Sequence, residues 1–298
     1  MPDGNFRCDL VAHSVNPVGD QAITFSLCYE RFVHAEVMTH RQFSRNASSS
    51  RAIPYTRMRD WILADPALPL HFGSAKSGMQ SGPEIAELQK ADQLIRKLLD
   101  VATYHTNTLA NHFDLHKEIV NRYLEPWGWI NVVITASRPA LMNFLKLRLT
   151  AEALPNIQRL AVHMARAYRA STPAVLGAGE WHLPYVTPDQ RQTLSLDDQR
   201  IWSTARCAWV SYQTVDGKEA TFEQAKRRHD DSILYKHCTP LEHQLRARDD
   251  HDRNGGTIAG FDQYRHMIPE ESCHDFEYET LLDTVYADRD YLVVGANP

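Results

Sequence analysis

The chain has 298 residues, 43% of them apolar, enough to bury a large core and to exclude a disordered or fibrous protein. Lys and Arg number 32 against 37 Asp and Glu, a net charge of -5, so a general basic field for long nucleic acid is excluded and any anion site must be local. Five widely separated cysteines suit a reducing cytoplasm, and neither an export signal nor a membrane-spanning run is expected.

In chain order, "AITFSLCY" at 22–29 alternates as a strand does, and "ERFVHAEVMTH" then places Phe32, Val33, Ala35, Val37 and Met38 at helical spacing. The next thirteen residues, "THRQFSRNASSSR" at 39–51, hold three arginines, a histidine, an asparagine and four serines. Read as a loop at that helix's C-terminal end, they offer guanidinium forks and hydroxyls suited to a phosphate, although a solvated surface loop has the same composition. "AIPY" reads as an extended exit, since Pro54 disfavours helix at Ile53. Helices are predicted over 84–113 and 114–125, a buried strand over 129–137, a helix over 138–149 with Pro139 in its first turn, and another helix to 170. The stretch at about 171–200 turns to Pro, Gly, Thr and Asp and reads as an inserted connection. Helical character returns at "DDQRIWSTARCAWVSY" and "TFEQAKRRHDDSILYKH", and a charged tail runs from about 248 to 298. His112 and His116 have the i, i+4 spacing of a zinc pair, but no third ligand set stands near them and no metal site is expected.

Three stretches together resemble the flavin-dependent thymidylate synthases. "HRQFSRNASSSR" resembles the family's signature of Arg-His-Arg followed by seven residues and then a serine: His40 and Arg41 stand for its second and third residues, Ser49 for the serine, and Thr39 replaces the first arginine. "NRYLEPWGWINVVITASRPALMNFLKLR" is similar to the family's Arg-x-x-x-Pro segment, strand and Asn-Phe-Leu-x-Leu-Arg helix. "CAWVSY" and "KHCTPLEH" resemble its Ala-Arg-Val-Ser-Phe and His-x-Thr-Pro-Phe-Glu-His pair. In the family that pair precedes the arginine signature; here it follows, so the chain looks permuted. Ala47 and Trp209 stand where glutamate and arginine are usual.

The resemblance implies one α/β domain over 1–298, a mixed or antiparallel sheet flanked by long helices. It implies FAD contacts from Thr39, His40, Arg41, Arg138, Asn143, Ser211, His237, Thr239 and Glu242. Pyrimidine nucleoside monophosphate contacts would come from Glu36, Ser48, Ser49, Ser50, Arg51, Arg122 and Arg148. Arg148 is the expected catalytic group, a permanent cation against charge developing on the pyrimidine ring. The implied reaction is C5-methylation of dUMP or UMP with 5,10-methylene-tetrahydrofolate and NADPH and without a cysteine nucleophile. The implied assembly is a cytoplasmic homotetramer with no nucleic-acid or membrane partner. C5-hydroxymethylation on the same scaffold is an alternative. Another is a non-catalytic phosphate- or nucleotide-binding module, of which Thr39 would be the symptom.

Overall fold

The computed structural model describes residues 5–211, 220–254 and 256–269. Its backbone is a five-stranded mixed sheet in the order β3 (Ser44–Ala47), β4 (Trp129–Ser137), β2 (Gln21–Glu30), β1 (Arg7–Val15), β5 (Ala174–Val175). β1 (Arg7–Val15) and β2 (Gln21–Glu30) form an antiparallel hairpin whose register shifts between Leu10 and Ala12. The hairpin turns on Gly19, at φ +93°, with the Asn16 side chain accepting from the Asp20 amide at 2.7 Å. A short 3-10 turn leads into α1 (His34–Met38), and β3 (Ser44–Ala47) follows. β3 lies inside the stretch read as a loop. Its residues carry no apolar alternation, and its pairing with Thr135 to Val132 of β4 supplies what the pattern lacks.

α2 (Tyr55–Ala64) begins directly after Pro54, where the sequence pattern predicts no helix. α3 (Leu88–Asn111) is the long predicted helix. The helix expected over 114–125 shrinks to α4 (Lys117–Val120) and two 3-10 turns. Pro126 cannot continue an α-helix, and Asn121 spends its side-chain N–H groups on the carbonyls of Ser50 and Ile53 at 2.8 and 2.9 Å. β4 (Trp129–Ser137) pairs with β2 along its whole length and runs straight into α5 (Arg138–Arg148). Ser137 caps that helix by accepting from the Ala140 amide, with Pro139 in the first turn. α6 (Pro155–Ala170) completes the helical layer.

Side chains alternate across the sheet, so its two faces differ in kind. Ile23, Phe25, Leu27 and Tyr29 of β2 pack with Ile130, Val132 and Ile134 of β4 against Leu141, Phe144, Leu160 and Met164 of α5 and α6. Thr24 and Thr135 lie on the opposite face and are fully buried. What covers them comes from the C-terminal half. The segment at 171–200 contributes β5 (Ala174–Val175), parallel to β1, then β6 (Trp181–His182) and α7 (Pro188–Thr193). α8 (Leu196–Ala208) and α9 (Phe222–Leu234) follow, and β7 (Leu245–Ala247) and β8 (Phe261–Gln263) join β6 in a second, antiparallel sheet. The expected charged tail lies outside the described residues beyond 269. Among the described residues no helix is long and apolar enough to cross a membrane.

Candidate functional site

A tight exit from α1 builds the first cleft. Thr39 Oγ1 donates to the Glu36 carbonyl at 2.6 Å and the His40 amide to the Val37 carbonyl at 3.1 Å. This turns the His40 ring inward, 8% exposed, between Phe43 (centroids 5.8 Å apart) and Phe144 (4.8 Å). Arg148, the last residue of α5, reaches the same point from 108 residues away. Its Nε donates to His40 Nε2 at 3.1 Å and its Nη1 pairs with Glu36 Oε2 at 3.1 Å. Because Nε2 accepts, the proton of neutral His40 is assigned to Nδ1. Burial, reinforced by Arg148 and Arg45, lowers the His40 pKa to about 4. At neutral pH the ring therefore orients the guanidinium without repelling it.

Thr39, His40, Arg41, Asn143, Leu147 and Arg148 line a cleft of about 200 Å³. Arg41, Arg138 and Asn143 are exposed, and neither arginine has an acidic partner among the described residues. Uncompensated guanidinium beside an amide fits the pyrophosphate of a flavin dinucleotide. The resemblance assigns Thr39, His40, Arg41 and Asn143 to the flavin and Glu36 and Arg148 to the nucleotide, and the fold brings all six together.

The serine half of the signature lies elsewhere. Ser48 donates its amide to the Asn131 carbonyl at 2.8 Å and accepts the Asn131 amide on Oγ at 3.1 Å; Ser50 Oγ donates to Glu125. Both hydroxyls thus turn inward, onto a cavity of about 230 Å³ walled also by Arg31, Arg57 and Trp61. Ser49 between them is half-buried. Arg51 and Arg122 lie together on the outer edge: Arg51 pairs with the Glu118 carboxylate at 3.1 Å, and Arg122 Nε donates to the Glu118 carbonyl at 3.2 Å. Fully buried Asn121 ties this edge to the loop, a link visible in the sequence only as the neighbour of Arg122.

The segments that follow in the chain return to β3. Thr239 opens a 3-10 turn (Thr239–Glu242) and donates to Asn46 Oδ1 at 3.1 Å, while Asn46 Nδ2 donates to the Cys207 carbonyl at 2.7 Å. Gln263 Nε2 donates both to Ser44 Oγ and to the Glu242 carbonyl at 2.9 Å, and Glu242 pairs with Arg265 at 2.6 Å. His237 is exposed beside this turn. The side chain of Ser211 lies outside the described residues. Asn46 and Gln263 carry no motif signal, and only the folded arrangement shows that they clamp "HCTPLEH" onto the signature strand.

Comparison with known proteins identifies a family. The family described as thymidylate synthase complementing protein matches residues 13–174. Among solved structures, a UMP/dUMP methylase PolB from Streptomyces cacaoi, bound with 5-Br dUMP, is similar at 21% identity over 50% of this chain and 66% of that one, with a TM-score of 0.42. The flavin-dependent thymidylate synthase ThyX from Helicobacter pylori, complexed with FAD and dUMP, is similar at 20% identity over 49% of this chain and 67% of that one, with a TM-score of 0.34. The chain thus spans about two thirds of the length of these structures. No curated protein matches it in sequence. With its match covering more than half of the chain, this protein belongs to the thymidylate synthase complementing protein family.

Proposed function

We propose that the protein is a flavin-dependent methyltransferase acting at C5 of a pyrimidine nucleoside monophosphate, dUMP or UMP, with methylene-tetrahydrofolate as one-carbon donor and NADPH as reductant. The observation that carries this reading is the meeting of Arg148, His40 and Glu36 beside Arg41 and Asn143 in one cleft. Arg41, Arg138, Asn143, His237, Thr239 and Glu242 would hold the flavin. Bound and reduced, it supplies the electrons that turn a transferred methylene into a methyl group.

The protein's own part is electrostatic. A guanidinium has five N–H donors, and Arg148 spends one on His40 and one on Glu36 in its short contacts. Nη2 makes only long contacts, 3.4 Å to Thr39 Oγ1 and 3.5 Å to the Glu36 carbonyl, so the second N–H of Nη1, joined by Nη2 once it leaves those contacts, can face a pyrimidine edge and stabilise negative charge there as C5 becomes nucleophilic. Glu36 and His40 fix the fork's plane beforehand, which removes reorganisation from the barrier. Thiol catalysis finds no support in the described cysteines. Cys28 and Cys207 are buried, and burial raises the Cys28 thiol to about 11 and Cys207 in the same direction.

The same geometry favours self-association. Phe43 at the first cleft and Ser48 at the second cavity flank β3 five residues apart, a span of up to about 17 Å at the usual strand rise. A nucleotide whose phosphate and base are joined by one sugar does not bridge that span within one chain. A second copy presenting its Ser49, Arg51 and Arg122 edge to Arg148 completes the set, which suits the shared sites of a homotetramer. α3 offers a surface for such a contact: Leu94, Leu98, Val101 and Tyr104 form a stripe at helical spacing, each more than half exposed. A reducing cytoplasm suits the free state of Cys8, Cys28 and Cys207.

The flavin assignment is tested by occupancy. Purified protein is expected to bind FAD, seen as flavin absorbance that co-elutes with it. Arg41→Ala and His237→Ala are each expected to weaken binding about tenfold or more, the loss of one charge-assisted contact. Wild-type FAD affinity in both folded variants would remove the two motifs from the flavin site.

A further inference from the structure

His182 stands in the inserted stretch at 171–200, outside every family motif, yet its side chain is fully buried. Its Nδ1 lies 2.9 Å from Ser14 Oγ on β1 and its Nε2 2.8 Å from Thr24 Oγ1 on β2. Thr24 Oγ1 lies 2.7 Å from Thr135 Oγ1 on β4, and Thr135 Oγ1 2.8 Å from Nδ1 of His243. Five polar side chains, none more than 5% exposed, thus form one hydrogen-bonded line across three strands. The line ends at His243, the last residue of "HCTPLEH". His243 Nε2 is buried and has no hydrogen-bond partner among the described residues.

We propose that His182 is a positioning residue for the flavin-binding turn, acting through Thr24 and Thr135 on the ring of His243. The proposal rests on the reading of Thr239 and Glu242 as flavin ligands. The physical reason is directionality. Each hydroxyl has one proton to donate and can accept two bonds; if Thr24 or Thr135 accepted from both of its neighbours, its own buried proton would have no partner in the line, so the arrangements that use every proton point all the bonds the same way. A neutral imidazole presents one N–H and one lone pair, so in such a line the tautomer of His182 is coupled to that of His243. His182 thereby sets which nitrogen of His243 carries the proton and which way its ring is held. His243 directly follows Glu242, and its bond to Thr135 joins other side-chain ties on the turn, among them the Arg265–Glu242 ion pair. Two more run from Thr239 to Asn46 and from Gln263 to the Glu242 carbonyl. Cutting the line at either end leaves buried hydroxyls and His243 to re-pair away from bulk solvent, and the turn shifts with them. The insertion would then be the element that seats a motif permuted to the far end of the chain.

The test uses His182→Phe and Thr135→Val, which cut the line at two separate places, and His182→Gln, whose amide nitrogen can retain the bond to Thr24. Amide hydrogen exchange is measured on the flavin-free protein, and FAD affinity separately. Both cutting variants are expected to raise exchange at 241–247 about tenfold or more, and to leave α5 and α6 within about twofold, as the loss of one buried hydrogen bond would do locally. His182→Gln is expected to recover part of the protection. FAD affinity is expected to fall in the same order. Exchange at 241–247 that is unchanged, or that rises only in step with α5 and α6, overturns the proposal. If His182→Phe does not fold, Thr135→Val, nearly isosteric, decides alone. If the wild type binds no flavin, the flavin reading fails, while the exchange result still decides whether the line positions the turn.

Discussion

Arg148→Lys is expected to lower kcat by about 10²-fold to 10³-fold with little change in the nucleotide KM, as removal of one preorganised donor at a developing negative charge does. An ammonium keeps the positive charge but cannot serve His40, Glu36 and a planar pyrimidine edge at once, because it has no fork. The loss therefore falls on the transition state, where charge on the ring is greatest. Arg51→Ala and Arg122→Ala provide the contrast. Each is expected mainly to raise KM, by the equivalent of about 1.5–3 kcal/mol, because a phosphate anchor acts equally before and during reaction. Arg148 also forms an ion pair with Glu36, partly open to solvent, and a purely structural role would show as lower thermal stability with unchanged turnover per folded molecule. Measuring melting and turnover on the same preparations separates the two, and an unchanged kcat in folded Arg148→Lys removes Arg148 from the chemistry.

Acid is expected to destabilise the fold well above the usual carboxylate range. Burial lowers His182 and His243 to about 3 and His40 and His34 to about 4. In the unfolded chain each titrates near 6.5, so below that pH the unfolded state takes up protons that the folded state refuses. The stability is thus fully present above pH 6.5 and is lost as pH falls toward the folded values. For the two fully buried rings, the loss between pH 6.5 and pH 4 is on the order of 3 kcal/mol each as an upper limit, out of a typical total of about 5–15. The groups facing His182 act in the same direction, since Arg191, His13 and His243 all disfavour its charge. Asp250, lowered to about 2 by its hydrogen bond to Arg248, titrates below this window. Urea unfolding at pH 8, 6.5 and 5 should show a midpoint that is flat and then falls. His182→Gln should reduce the fall, and stability that is constant down to pH 5 would contradict the account.

The sequence makes the centre of this fold plain and its edges obscure, for identifiable reasons. β4 and α5 are legible because a β-branched run meets a serine cap and a proline in the first turn, so local preference and tertiary structure agree. β1 escapes pattern reading because its register shifts between Leu10 and Ala12, which breaks the two-residue period. β3 escapes because Ser-Arg-Asn-Ala has no apolar face and is a strand only by pairing with β4. In the site, spacing and resemblance bring out Glu36, His40, Asn143 and Arg148, whose chemistry is concentrated in two short motifs. The line from Ser14 to His243 stays hidden because threonines and histidines in isolation carry no signal. Thr24 and His182 are 158 residues apart and meet only when the C-terminal half covers the polar face of the sheet. The exchange of Arg for Thr39 has a structural consequence as well: its hydroxyl closes the turn after α1 and lies 3.4 Å from Arg148 Nη2.

The most direct test of the central claim is mass analysis of the nucleotide after FAD-loaded protein is incubated with methylene-tetrahydrofolate bearing a labelled one-carbon unit, NADPH and either dUMP or UMP. The account predicts a product with one labelled methyl at C5 from at least one of the two nucleotides, absent when flavin is withheld and strongly reduced in Arg148→Lys. Flavin-loaded, folded protein that leaves both nucleotides unlabelled would contradict it.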